Sequence, residues 1–165
     1  MAFVNTIDRL GDEAVFRSIT DRTIAEFKDD KVATIGSFIF YNCSNLKNVV
    51  APSATILGQE VIAHCPSITL VDFGALTYIN YNSIHTCELL TAVILRGSTV
   101  PNLTNSNIFG KTPIASGTGY IYVPKALIES YKTATNWSIF ADVFRALEDY
   151  TVDGTITGEL DESKI

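Results

Sequence analysis

Cysteine occurs three times in this chain, at Cys43, Cys65 and Cys87, and both intervals are 22. A fixed period of that length is the mark of a solenoid, in which each repeat contacts only its neighbours and no single repeat buries its apolar side alone. Other rows keep the same interval: Ile35, Leu57 and Ile79; Phe40, Ile62 and Ile84; Leu46, Ile68 and Leu90; Val49, Val71 and Val93; and, more loosely, Ala51, Phe73 and Leu95. Chance does not set five apolar rows in one register. Gly36 and Gly58 also match, with Asn80 in third place, which suggests a left-handed backbone at that point of each repeat. The cysteines then read as one buried layer of a stack, protonated and inert. Their odd number and regular register argue against a disulfide framework.

Each repeat divides in two. The stretch 35–43 reads as a compact turn or short helix ending on the cysteine. The stretch 45–52 reads as an extended run with Leu46, Val49 and Ala51 inward. The expectation is one short strand per repeat, paired in parallel with its neighbours at ~4.8 Å. One period earlier, Ile24 and Phe27 mark a degenerate first strand within 22–30. One period later the cysteine register lands on Phe109 and dissolves in an Asn-, Thr-, Ser- and Gly-rich stretch that reads as a long loop. The strand resumes in 119–124. Ala126, Leu127, Ile128 and Tyr131 then suit a short helix opened by a proline, and Trp137, Phe140, Phe144 and Leu147 follow a helical period. The fold class is therefore α/β: an N-terminal cap and first strand (1–30), three full repeats (31–99), a loop, last strand and helical cap anchored by Trp137 (100–148), and an acidic tail (149–165).

A hydrophobic fraction of 47% with 18% charged residues suffices for a core, and a net charge of −6 disfavours phosphate contact and so nucleic acid. No apolar run approaches the ~20 residues of a membrane span, and the start of the chain does not read as a secretory signal. No catalytic, metal or cofactor site is expected. The interval between His64 and His85 is 21, one short of the common register. Neither has ligands at chelating intervals, and both read as polar turn residues. The three cysteines are equivalent, whereas a nucleophile would be distinctive. Gly117-Thr118-Gly119 precedes a strand and lacks the helix a phosphate loop requires.

The register also says which strand residues face outward. One row is Asn48, Leu70 and Ala92, continued by Glu26 and Tyr120. The next is Val50, Asp72 and Ile94, continued by Lys28 and Tyr122. A sheet face in water should be polar, so Val50, Leu70, Asp72, Ile94, Tyr120 and Tyr122 are the expected protein-binding or assembly face. The other possibility is that the 100–118 loop or the acidic tail folds over this face and makes it core.

The unit carried by Ile35-Gly36, Phe40, Cys43, Leu46, Val49 and Pro52 resembles the BspA-type bacterial leucine-rich repeat, and 121–140 resembles the C-terminal cap that closes such arrays. The resemblance covers roughly residues 22–148 and implies a leucine-rich-repeat solenoid that binds rather than catalyses. Members are mostly bacterial surface adhesins, and the opening segment 1–24 is similar to short phage or prophage members. The implied role is a phage virion or tail-associated protein for host attachment or particle assembly. The partner would be a protein or host-surface receptor, with a possible homo-oligomer. A cell-surface adhesin fragment and a capsid decoration protein are the alternatives.

Overall fold

The computed structural model describes residues 23–152 and 155–156. Within it the chain winds as a parallel solenoid held by three ladders. The longest is a six-stranded sheet of β1 (Glu26–Lys28), β3 (Asn48–Ala51), β6 (Leu70–Phe73), β9 (Ala92–Leu95), β11 (Tyr120–Val123) and β12 (Phe144–Ala146), in that order. A second ladder stacks the two-residue strands β2 (Thr34–Ile35), β4 (Ile56–Leu57), β7 (Tyr78–Ile79) and β10 (Asn102–Leu103). The third pairs β5 (Ile62–Ala63) with β8 (Ile84–His85), and is prolonged by Phe40 N–H to Val61 O, Asn42 N–H to Ala63 O and Thr86 N–H to Gly110 O.

The solenoid is as the period requires, but a full coil carries three short strands rather than one. The stretch expected to be a turn or short helix before each cysteine supplies the second and third ladders instead. Repeats one period apart place backbone N–H groups of one coil opposite carbonyls of the next, so the extended form satisfies groups that an isolated helical turn would leave open. The same-residue rows are the register itself: Phe27 pairs with Val49, Val49 with Val71 and Val71 with Val93. Ile24, Phe27, Leu46, Ile68, Leu90 and all three cysteines are buried in one continuous core. Side chains add to the stacking, since Thr55, Thr77 and Thr69 each donate a hydroxyl hydrogen bond to a carbonyl one period earlier.

The corners are left-handed, though not where the glycines stand. Phe38, Glu60 and Asn82 form one positive-φ series, and Asn42, His64, Thr86 and Lys111 another, with φ of 58, 55, 52 and 57°. Thr86 is β-branched, for which this conformation is strained. Gly36, Gly58 and Asn80 are outside these series. At Gly58 the reason is space, because a Cβ there would lie 2.7 Å from Ser37 N and 2.8 Å from the Gly36 carbonyl carbon.

The stretch 100–118 is a widened coil rather than a loop. Leu103 pairs with Ile79, an offset of 24, and Ile121 with Val93, an offset of 28; α1 (Pro113–Ser116) takes up the surplus. By the ladder hydrogen bonds the cysteine place falls on Thr112, two positions after Gly110, as Cys87 follows His85. Thr112 is buried, donates from Oγ1 to Phe109 O at 2.7 Å and accepts from Ala115 N–H at the start of α1. Phe109, the residue that simple counting puts there, packs in the core against Trp137 and Phe140.

The C-terminal part contains α2 (Ile128–Thr133) with short 3₁₀ turns at Lys125–Leu127, Ser138–Val143 and Leu147–Asp149. Trp137 anchors it. Its ring lies against Phe109, Tyr131, Phe140 and Phe144, and Nε1–H donates to Pro101 O at 2.8 Å. The helical period of Phe144 and Leu147 does not hold. Phe144–Ala146 is β12, which pairs with β11 at Ile121 and Val123. The open edge of β11 offers a ladder of unpaired groups, and filling it outweighs a local 3.6-residue pattern. Past Tyr150 the backbone of β13 (Thr151–Val152) pairs antiparallel with β14 (Thr155–Ile156). Residues 1–22, expected to form most of the N-terminal cap, and the rest of the acidic tail lie outside the described residues.

Candidate functional site

The outward side of the six-stranded sheet carries two rows. One runs Glu26, Asn48, Leu70, Ala92 and Tyr120, and the other Lys28, Val50, Asp72, Ile94, Tyr122 and Arg145. The rows are those read from the sequence, with Arg145 added by β12. Their expected exposure needs correction. Val50, Asp72 and Ile94 are 0%, 1% and 1% exposed, so they are not available for contact. Leu70, Tyr120 and Tyr122 are half-buried, and Glu26 and Lys28 exposed.

Asp72 explains part of this burial. Arg96 stands two positions past Ile94, so it has the same outward parity. Its side chain folds back to clamp the carboxylate with two hydrogen bonds, Nε to Oδ1 at 2.8 Å and Nη2 to Oδ2 at 2.9 Å. Such a fork is the strongest geometry available to a carboxylate. Burial pushes the Asp72 pKa above the ordinary range, and the guanidinium opposes that shift. Nearby, Asn48 Oδ1 is buried without a hydrogen-bond partner.

The C-terminal end of the face is aromatic and basic. Tyr120 and Tyr122 meet edge to face at 6.4 Å, Tyr150 lies 4.6 Å from Tyr122, and the Arg145 guanidinium stands 4.3 Å over the Tyr120 ring. Amphipathic rings with a cation on their face are the residue types that concentrate binding energy at interfaces. Arg96, Arg145 and Tyr150 were not legible as site residues. Arg96 lies just past its strand, and Arg145 and Tyr150 follow a stretch whose periodicity reads as helix.

On the third ladder, Tyr41, His64 and His85 form a chain of ring contacts at 5.2 and 5.3 Å. Beside them a cavity of about 310 Å³ is lined by His64, His85, Thr86, Asn107, Gly110 and Lys111. His85 Nδ1 bonds Thr86 Oγ1 at 2.9 Å and Nε2 lies 3.8 Å from the Glu60 carboxylate. Burial lowers the His85 pKa, against the pull of Glu60. Among the described residues, no three His, Cys, Asp or Glu side chains are placed to hold a metal ion. The three cysteines are buried thiols. Cys65 Sγ donates to Phe40 O at 2.9 Å and Cys87 Sγ to His85 O at 3.3 Å. The adjacent Cys87 sulfur, and then burial, push the Cys65 thiol far up, which keeps it protonated.

Stacked parallel coils, a closed aromatic end and an outward sheet face define a repeat scaffold. The model of the BspA-type leucine-rich repeat region matches residues 3–127 in six copies, and the chain belongs to that family. The match continues through the widened coil, where the regular spacing fails. No curated protein matches the chain. Leucine-rich-repeat domains of this kind typically serve protein interaction rather than catalysis. Among the described residues no helix is long and apolar enough to cross a membrane.

Proposed function

We propose that this protein is a non-enzymatic binding scaffold of a phage particle, tail-associated, serving host attachment or particle assembly. Its contact surface is the aromatic end of the outward sheet face. The observation that carries the binding part is the cluster of Tyr120, Tyr122 and Arg145, joined by Leu70 two strands away in the first row. These side chains are half-buried or exposed, whereas Val50, Asp72 and Ile94 beneath and beside them are sealed. The phage setting is supported by the likeness of the opening segment 1–24 to phage-type members of the family.

Mass spectrometry of purified particles from a host carrying the gene tests the setting, with stoichiometric presence on the particle as the expected result. Absence from particles together with presence on the cell surface would favour the adhesin. For the contact surface, a Tyr120→Ser, Tyr122→Ser double variant should keep its thermal midpoint within a few degrees. It should lose at least about tenfold in association with particles, the equivalent of ~1.4 kcal/mol.

A further inference from the structure

The corners of the third ladder carry a row that stacking alone does not account for. His64, Thr86 and Lys111 hold the same place in successive coils, since His64 N–H bonds His85 O as Thr86 N–H bonds Gly110 O, and all three have a left-handed backbone. Parallel stacking sets such neighbours ~4.8 Å apart. Asn42, at the same place in the first coil, is a residue that tolerates this conformation, whereas Thr86 bears the strain of a β-branched side chain at φ 52°. Strain of this kind collects at ligand sites. Together with His85, Asn107 and Gly110, the three corner residues line the cavity of about 310 Å³.

The lining has one sign. Its titratable residues, His64, His85 and Lys111, are all basic and none is a carboxylate, in a chain whose net charge is −6. Glu60 stands outside the lining, with its carboxylate 3.8 Å from His85 Nε2. That separation is too long for a hydrogen bond, and Nε2 is buried without a partner. Lys111 makes no ion pair among the described residues. The Asn107 amide is committed to Asn82 Oδ1 at 3.2 Å. The cavity therefore offers the Lys111 ammonium, the His64 imidazole and the Thr86 hydroxyl as donors, with no acid in its lining to repel an anion.

We infer that this cavity binds a tetrahedral oxyanion, a phosphate or sulfate group, and that His85 takes up a proton when it does. The volume is at the small end of ligand pockets, which suits such a group either free or borne on a small molecule. The coupling runs through Thr86. With His85 neutral, the Thr86 hydroxyl donates to Nδ1 across 2.9 Å, and Nε2–H faces Glu60. An anion in the cavity takes that hydroxyl hydrogen bond for itself, so Thr86 Oγ1 must then accept from Nδ1–H. Nε2 would be left as a bare acceptor facing a carboxylate unless it too carries a proton, and the imidazolium satisfies both sides. In the free protein burial holds the His85 pKa down, Glu60 opposes that, and the charges of His64 and Lys111 add to it. A bound anion reverses the balance. His85 is thus a positioning residue that acts through Thr86. The site stands on a different ladder from the sheet face and does not rest on the binding role proposed there.

The test is an NMR titration of the two imidazoles, the only histidines in the chain, at constant ionic strength. Sulfate is the first probe, because its charge is fixed and any pH dependence then belongs to the protein. It should bind saturably with a Kd of about 10 mM or tighter. Saturation should move the His85 titration to higher pH, by an amount equal to at least about a tenfold preference for the imidazolium form. Lys111→Asn, which suits a left-handed corner, should weaken binding at least about tenfold and leave the thermal midpoint unchanged. Thr86→Val keeps the shape of the corner and should still bind sulfate, but the His85 titration should no longer follow. Inorganic phosphate and glucose 6-phosphate separate the two sources of the group: a tighter sugar phosphate marks a group carried on a larger molecule, and an equal or weaker one marks the free ion. No saturation up to about 50 mM sulfate, undiminished binding in Lys111→Asn, or a His85 titration that sulfate leaves in place would each overturn the inference.

Discussion

Between Ile24 and Leu95 each coil repeats the one before it, with the same residue class at the inward places every 22 positions. From Val100 onward the ladders continue, but their residues are no longer interchangeable: the offset grows to 24 and then 28, a threonine takes the cysteine place, and one tryptophan contacts four aromatic rings. The repeating part gains stability by summing many similar neighbour contacts, whereas the closing part concentrates it in a few unique ones. A stack has two ends that expose core, and only a segment of different composition can finish one.

That contrast sets the size of the mutational effects. Trp137→Ala should be the most damaging single change, costing about 4 kcal/mol through lost packing and an unpaired Pro101 carbonyl. Hydrogen exchange should then show the coil at 100–123 opening well before the coil at 46–73. Uniform loss of protection would mean the two parts form a single cooperative unit.

Arg96→Leu comes next, because it acts within the repeats but removes a feature that does not repeat. It leaves a buried carboxylate without its cation, costing about 3 kcal/mol near pH 8. Asp72 already has a raised pKa, so its charged form is the disfavoured one in the fold. A group raised in this way contributes stability at pH below its unfolded value and loses it as pH climbs through the folded value. The penalty of Arg96→Leu should therefore shrink toward pH 4, where Asp72 takes up a proton. Urea titrations at the two pH values read this directly, and a pH-independent penalty would mean that Asp72 does not titrate there.

Cys65→Ser should be the mildest. On burial alone a hydroxyl would cost about 1–3 kcal/mol. The thiol, however, already donates to the Phe40 and Ala63 carbonyls, and Thr112 shows a hydroxyl seated at the same place of the last coil. The expected cost is about 1 kcal/mol, read from the urea midpoint, with binding to particles unchanged. A cost as large as that of Trp137→Ala would mean the cysteine layer is more than a filler.

The register of β1, β3, β6 and β9, down to Phe27 opposite Val49, was legible because a period of 22 is information carried by the chain alone, and the strand that resumes in 119–124 put Tyr122 in the row of Ile94. So was the anchoring role of Trp137. Other features were not. The corner positions escaped because Phe38, Glu60 and Thr86 are not residues that signal a left-handed backbone, and stacking imposes it on them. β12 escaped because Phe144 and Leu147 fit a helical period, and only the open edge of β11 makes a strand the better use of that segment. Parity grouped the outward rows as the strand pairing has them, but it says which way a side chain points and not what lies over it, so Val50, Asp72 and Ile94 were wrongly expected to be exposed. Sequence determined the coil, since each row must match the row one period before it. Tertiary structure decided the burial of Val50, Asp72 and Ile94, since solvent exposure depends on segments distant in the chain that no local pattern encodes.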